Sequence, residues 1–206
     1  MITLYGMPKT RATRIVWALE EIGADYRFIP VDLARGEGQS PEFLALNPGG
    51  KIPVLVDADL VLTESAAICT YLGDRFPASG LVPPPGTADR ARYDQWCFFV
   101  LAELEQPLWT IAKHKFALPE ERRVPQIKET AVWEFRRAAA VLAEGLQGKE
   151  HLVGARFSMA DILAAHTLAW AGSAGIQHQS ELLDEYLQRQ LSRAGFCKAQ
   201  EKEKGE

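Results

Sequence analysis

The sequence has few cysteines and no pattern of metal ligands. Its three cysteines, Cys69, Cys97 and Cys197, lie far apart and form no Cys-x-x-Cys pair, which argues against a disulfide framework, a zinc ribbon or a dithiol redox motif. Cys69 and Cys97 lie within apolar helical patterns, where buried and inert thiols are common. The four histidines show no ligand spacing with one another, so no metal site is expected. A reducing cytoplasm is the simplest setting for such a chain.

Long apolar runs and a strong net charge are also missing. No run approaches the roughly 20 residues of a membrane span, and no basic segment precedes an apolar stretch at the N-terminus, so no signal peptide is expected. A net charge of −4 over 206 residues gives no reason to expect nucleic acid or an anionic membrane as a partner. With 47% hydrophobic and 24% charged residues, the composition is that of a globular protein.

Proline and glycine concentrate in one stretch, "FPASGLVPPPGTADR", over residues 76–90. Its four prolines and two glycines cannot continue a helix or a central strand. We therefore predict a domain boundary here. The first domain is expected over residues 1–77, a linker over 78–88, and a helical domain over 89–206.

The two parts have different periodicities. The first reads as strand, helix, strand, then a hairpin around Asp57-Ala58-Asp59 and a further helix, which predicts a small mixed sheet between helices. After residue 88 the strand signal fades and helical spacing dominates. Helices are expected over residues 88–115 and 124–146 and in "FSMADILAAHTLAWA", whose apolar residues run nearly all round, so this helix should be central. The charged tail "KAQEKEKGE" is expected to fray.

Pro53 stands at the head of an apolar strand in "NPGGKIPVLVD". Proline in a sheet is expected only at an edge, a bulge or a strand's first residue. A cis bond before Pro53 would turn the main chain of Ile52 away from the neighbouring strand and leave it available to an extended peptide. A trans proline at an edge strand is the alternative, and the spacing leaves both open.

Two other stretches begin helices and carry hydroxyl groups. In "TESAAI", Glu64 and Ser65 could hold an ammonium and a carboxylate at a helix N-terminus, or Ser65 could be a plain helix cap. In "YGMPKTRATR", Thr10 could donate a hydrogen bond to an anion, or could also be only a cap. Tyr5 offers a second hydroxyl, or is simply a core aromatic residue.

Together these stretches resemble the cytosolic glutathione S-transferase family. The resemblance is carried by "ITLYG", "RIVWALEEIGADY", "SPEFLALNPGGKIPVLVD", "LVLTESAAICTYLGDRFP" and "FSMADILAAHTLAW", which run in the family's order over most of residues 2–170. It implies an α/β thioredoxin-like first domain and an all-α second domain. It also implies a glutathione-using enzyme, a homodimer without a metal, whose thiolate attacks a small electrophile.

The resemblance also assigns roles to individual positions. It implies a cis bond before Pro53, with Ile52 pairing to the cysteinyl main chain of glutathione. Glu64 and Ser65 match the site of the γ-glutamyl head group, while Lys51 and Gln39 match partners of the glycyl carboxylate. Thr10 best matches a serine that activates the thiol in some classes, and Tyr5 matches the tyrosine used in others. Arg11 is an expected assistant to Thr10.

The second substrate is the least defined part of this interpretation. An apolar wall is expected from five residues, which are Met7, Pro8, Phe99, Trp109 and Phe116. Lys9, Lys113 and Lys115 near it raise the hypothesis of an acidic electrophile, against the alternative of solvated surface lysines. A glutathione-dependent disulfide reductase or peroxidase on the same fold, and a non-catalytic interaction module, remain alternatives.

Overall fold

The computed structural model describes residues 1–204 of the chain. It divides into two compact units. The first unit contains Met1–Val82 together with the C-terminal segment from Ser192, and the second contains Pro83–Leu191. The boundary between the units lies inside the proline-rich stretch, at Val82–Pro83, and the segment from Ser192 packs with the first unit and not, as predicted, with one helical domain over residues 89–206.

A four-stranded sheet organises the first unit, in the order β2-β1-β3-β4. Its strands are β1 (Ile2–Gly6), β2 (Tyr26–Pro30), β3 (Val54–Asp57) and β4 (Leu60–Thr63). β1 is parallel to β2, whereas β3 is antiparallel to both β1 and β4. Val54 pairs with Tyr5 on one side and with Thr63 on the other. The last residues of β1 and β4 and the first residue of β3 therefore meet at one end of the sheet.

Four helices complete this unit. They are α1 (Ala12–Ile22), α2 (Pro41–Leu46), α3 (Ser65–Arg75) and α9 (Ala194–Lys204). α1 ends at Gly23, whose φ of 73° is the left-handed conformation that glycine adopts without strain. Ser40 caps α2 by accepting a hydrogen bond from the Phe43 N–H at 3.2 Å. α1 contacts α3. α2 lies beside Tyr5 and Val54 through Phe43 and Leu46.

α9 packs along α1. The rings of Trp17 and Phe196 meet edge to face at 4.8 Å, and Arg193 donates two hydrogen bonds of 2.8 Å to the carboxylate of Glu21. The prediction that the charged tail frays is wrong as far as Lys204, because α9 continues to that residue and Lys202 in the tail forms an ion pair of 2.8 Å with Glu20. The last two residues of that tail lie outside the described range.

The second unit is helical throughout. Its helices are α4 (Ala88–Phe99), α5 (Gln106–Ala112), α6 (Ile127–Leu146), α7 (Met159–Ser173) and α8 (Glu181–Leu191). The π-helical turns Val100–Glu105 and Lys113–Ala117 make residues 88–117 one helical run, and the first of them directly precedes Pro107, which lacks an N–H donor. Within the described range, no helix is both long and apolar enough to cross a membrane.

α7 is the buried centre of this unit, as its all-round apolar sequence predicts. Asp161 in its first turn is fully buried and accepts hydrogen bonds from the Ser158 and Leu152 N–H groups and from the Tyr186 hydroxyl, each at 2.9 Å. The capping relation expected between Ser158 and Asp161 is therefore present. Burial raises the pKa of Asp161 and outweighs the opposing effect of these donors.

Candidate active site

The main chain before β3 is built as the sequence suggests. The Ile52–Pro53 bond is cis, which confirms that prediction. Ladder pairing of β3 begins only at Val54, and no hydrogen bond of the Ile52 main chain is found among residues 1–204. Ile52 is half-buried and retains one donor and one acceptor, which together can pair with a short extended peptide.

The turn ahead of Ile52 brings two predicted residues together. The Asn47 side chain holds the turn by donating to the Lys51 carbonyl at 2.7 Å and accepting from the Gly49 N–H at 2.9 Å. Gly50 has a φ of 61°, and a Cβ there would collide with the Gln39 side-chain amide. Gln39 therefore lies against the same turn that carries the exposed Lys51, and an amide and an ammonium can share one anionic group there.

Glu64 and Ser65 lie at the same end of the sheet, directly after β4. Glu64 is exposed and has a φ of 68°, a conformation that strains a non-glycine residue and is more common at functional sites. It stands at the N-cap of α3 without a side-chain capping bond. Ser65 is the first residue of α3 and 4% exposed. The alternative that Ser65 is a plain helix cap is therefore wrong.

The partner of Ser65 is a residue that the sequence analysis missed. Arg14 is completely buried in α1, and its Nη1 donates to Ser65 Oγ at 3.0 Å. No acceptor for the Ser65 hydroxyl proton is found within residues 1–204. That proton is thus available to a ligand carboxylate. The signal in the sequence was an arginine within the apolar stretch of α1, between Ala12 and Ile15.

Thr10 closes the turn between β1 and α1. Its hydroxyl donates to the Met7 carbonyl at 2.6 Å and accepts from the Ala12 N–H at 3.1 Å. A hydroxyl has one proton, which in this arrangement is held within the turn, one residue ahead of the N-cap of α1. Arg11 follows it as the N-cap residue of α1 and is half-buried. Lys9 in this turn is exposed, with a φ of 60°.

Tyr5 is packed mainly as an aromatic residue. Its ring meets Phe43 edge to face at 6.3 Å and contacts the cluster of Val31, Phe43 and Val54. It also lines a cavity of about 300 Å³ together with Glu37 and side chains of α2. The core-aromatic alternative thus describes its ring well.

The five residues expected to form the second-substrate wall fall in both units. Met7 and Pro8 are half-buried in the first unit. In the second unit Phe116 lines a cavity of about 720 Å³, but Phe99 and Trp109 do not. Phe99 instead contacts Trp96 edge to face at 5.3 Å.

Two of the three cysteines lie in the protein core. Cys69 and Cys97 are buried, and burial raises the pKa of the Cys97 thiol to about 12. This thiol is therefore protonated at neutral pH. Among residues 1–204, no group of histidine, cysteine, aspartate and glutamate side chains could hold a metal ion.

Family models match both units. The N-terminal domain of glutathione S-transferase matches residues 1–74, and the C-terminal domain of glutathione S-transferase matches residues 105–192. Of the solved structures that resemble the chain, a sphingomonad glutathione S-transferase complexed with glutathione has a TM-score of 0.86 at 32% identity, with 98% of each chain covered.

Curated relatives agree with these matches. Glutathione S-transferase GST-4.5 of Xanthomonas campestris is 32% identical over 76% of this chain and 77% of its own length. The disulfide-bond oxidoreductase YfcG of Escherichia coli is 37% identical over 79% of this chain and 76% of its own length. Glutathione S-transferase 3 of Zea mays is 44% identical, but that match spans only 46% of this chain and 43% of the maize protein. The chain belongs to the glutathione S-transferase family.

Proposed function

We propose that this protein is a glutathione transferase. It binds glutathione at the end of the sheet where Tyr5, Val54 and Thr63 pair, and it promotes attack of the glutathione thiolate on a small electrophile. The observation that carries the proposal is the main chain of Ile52 beside a cis proline, which has no hydrogen-bond partner among residues 1–204, with the Ser65 hydroxyl proton available at the same sheet end. A protein that only kept the fold would not need this peptide clamp.

Each part of glutathione has a partner in this arrangement. The Ile52 N–H and C=O pair with the cysteinyl main chain, as a strand would. Ser65 donates to the γ-glutamyl carboxylate, while Glu64 accepts from its ammonium group. Lys51 and Gln39 hold the glycyl carboxylate. The sulfur then points toward the turn that carries Thr10, at the start of α1.

The chemistry of the reaction lies in the ionisation of sulfur. The thiol proton passes to solvent, the thiolate forms a bond to the electrophilic carbon, and the leaving group departs with its electron pair. Thr10 and the N-terminus of α1, with Arg11 as assistant, favour the thiolate. For this the Thr10 hydroxyl exchanges the Met7 carbonyl for the charged sulfur, which is the stronger acceptor.

A disulfide reductase activity is the second candidate. The Thr10 hydroxyl donates its proton to the Met7 carbonyl, and a relative at 37% identity is named a disulfide-bond oxidoreductase. In that reaction the glutathione thiolate attacks a disulfide sulfur, and a thiolate leaves.

Three measurements test the proposal. Calorimetry with glutathione should give saturable binding, and its absence would favour a non-catalytic interaction module. Conjugation of chlorodinitrobenzene should then exceed reduction of hydroxyethyl disulfide and of cumene hydroperoxide in turnover. Binding without conjugation, together with disulfide or hydroperoxide turnover, would replace the transferase by the reductase or peroxidase. A cytoplasmic homodimer is the proposed form of the enzyme.

A further inference from the structure

The cavity of about 720 Å³ in the second unit, here called the helical-unit cavity, has an apolar interior. Its wall comes from α5, α7 and the chain leading into α6, and it has the volume of a site for a small organic ligand. The apolar lining residues are Leu108, Ile111, Ala112, Phe116, Pro125, Ile127, Trp170, Ala174 and Ile176. Phe116 is 65% exposed, so an apolar molecule placed against it would remove that ring from water.

The segment that closes this cavity is held in place by its own hydrogen bonds. Arg123 donates to the Leu118 carbonyl at 2.8 Å and to the Phe116 carbonyl at 3.2 Å. The Val124 N–H donates to His114 Nδ1 at 3.0 Å. These bonds tie residues 114–124 to one another, so the wall exists before any ligand arrives, and Arg123 and His114 are engaged in supporting it.

Two other cations of the cavity have no such task. Lys115 and Lys128 line it and are exposed, and within residues 1–204 neither makes an ion pair or hydrogen bond. The lining has one carboxylate, Glu120, and three side chains with a positive charge, Lys115, Arg123 and Lys128. The cavity is therefore cationic in a chain whose net charge is −4, and it complements a ligand that is apolar at one end and anionic at the other.

We propose that the helical-unit cavity binds an aromatic molecule that carries a carboxylate, and that this is the chemical class of the second substrate. The aromatic part lies against Phe116 and Trp170, and the carboxylate lies between Lys115 and Lys128. The assignment of the ligand as a substrate rests on the proposed transferase function, whereas its binding does not depend on glutathione.

Binding can be tested with a matched pair of probes, naphthylacetate and naphthylacetamide, which have nearly the same shape and differ in charge. Calorimetry without glutathione should show that the wild type binds the carboxylate about fivefold more tightly than the amide, as expected for contacts with exposed lysines. This preference should shrink as salt is added. Equal affinities for the two probes, or no binding of either at millimolar concentration, would overturn the proposal.

Variants locate the site. Lys115→Gln with Lys128→Gln should abolish the preference for the carboxylate, and Phe116→Ala should weaken both probes by the same factor. Lys149→Gln with Lys198→Gln removes the same charge from positions outside the cavity lining and should leave the preference intact. All five residues are exposed, so the variants should fold. A preference that survives the first pair, or that is lost with the second, would place the anion elsewhere.

The reaction itself supplies the final test. Chloronitrobenzoate and chloronitrobenzamide both lose chloride when the glutathione thiolate bonds to the ring carbon. The ratio of their kcat/KM values should fall about fivefold from the wild type to the double lysine variant, because the intrinsic reactivities cancel in this comparison. An unchanged ratio would refute the substrate assignment. If neither electrophile reacts although naphthylacetate binds and chlorodinitrobenzene is conjugated, the substrate assignment fails. If chlorodinitrobenzene is not conjugated either, the transferase function fails while the cavity assignment stands.

Discussion

The two hydroxyl groups of the candidate site differ in where their protons point. Ser65 receives a hydrogen bond from Arg14, and because arginine only donates, the serine proton is directed away from it. The proton of Thr10 is bonded to the Met7 carbonyl. Ser65 is thus ready to donate before a ligand arrives, whereas Thr10 must change its acceptor. Arg14 therefore acts on the candidate site through Ser65, as a positioning residue.

We expect Ser65→Ala to weaken glutathione binding by about 1.5–3 kcal/mol, the worth of a hydrogen bond to a charged group. The variant should also lose some stability, since Arg14 is buried and loses an acceptor. A glutathione analogue with an aminobutanoyl group in place of the γ-glutamyl residue lacks the carboxylate and serves as the control. Calorimetry should find its affinity unchanged by the substitution. An equal loss for both ligands would mean that Ser65 acts only on the fold.

For Thr10→Ala we expect a rise in the pKa of the bound glutathione thiol. A free thiol has a pKa near 8.5, and a drop of two units corresponds to roughly 2.7 kcal/mol. One hydroxyl bond to the thiolate supplies about 1.5–3 kcal/mol. Titration of the thiolate absorbance should show the rise for Thr10→Ala, none for Thr10→Ser, and none for Tyr5→Phe.

If the pKa of the bound glutathione thiol rises in Tyr5→Phe and not in Thr10→Ala, the tyrosine activates the thiol. The ring of Tyr5 packs against Phe43, so this variant keeps the packing and removes only the hydroxyl. If neither substitution moves the pKa, the sulfur is held by main-chain groups, and the reductase or scaffold interpretations gain support.

At the scale of secondary-structure elements, the sequence predicted what local periodicity encodes. The mixed sheet, its hairpin and the central helix α7 follow from period-two and period-3.6 patterns, whereas Pro53 left cis and trans open and only the family resemblance implied the cis bond. α9 was missed because its charged sequence carries a weak apolar pattern. Its partners Trp17 and Glu21 lie more than 170 residues away along the chain, which no local pattern records.

α9 also reaches the turn before α1 through one carboxylate. Glu203 accepts hydrogen bonds from the Thr13 hydroxyl and from the Lys9 N–H, and its pKa is raised above the usual range, chiefly by burial. The native state therefore binds this proton more tightly than the unfolded chain does. The resulting stability is present below the ordinary glutamate pKa of about 4.3 and is lost as the pH rises through the raised value.

We expect Glu203→Gln to remove this pH dependence, with the amide oxygen accepting from the Lys9 N–H and the amide NH2 donating to the Thr13 hydroxyl oxygen. The Tm of the wild type minus that of the variant should fall as the pH is raised from about 4 to about 7. The titration of the other carboxyl groups affects both proteins equally and cancels in this difference. Thermal melts at matched ionic strength would measure it. A difference that stays constant across this range would contradict the role given to Glu203.

At the scale of the whole molecule, we expect a homodimer in which α4 lies at the contact. Phe98 on this helix is 70% exposed, and a large aromatic side chain is a frequent anchor of protein interfaces. Light scattering at micromolar concentration should give twice the mass of the chain for the wild type. Phe98→Glu should shift the mass toward the monomer.

Trp133→Glu is the matched control for this prediction. Trp133 on α6 is 57% exposed, so the change adds the same charge at another exposed aromatic residue. It should leave the dimer intact. A monomeric wild type would contradict the dimer. Dissociation caused by Trp133→Glu and not by Phe98→Glu would place the interface at α6 and not at α4.

The packing of α9 on α1 has a consequence for biosynthesis. About 170 residues separate the end of α1 from the start of α9, and at about 5–20 residues per second a ribosome needs roughly 10–35 s to make them. Throughout this interval the face of α1 that carries Trp17 is uncovered on the nascent chain. Most of the first unit is therefore made before the second, but the packing of α9 on α1 and the contacts of Glu203 with Lys9 and Thr13 form only after α9 has been translated.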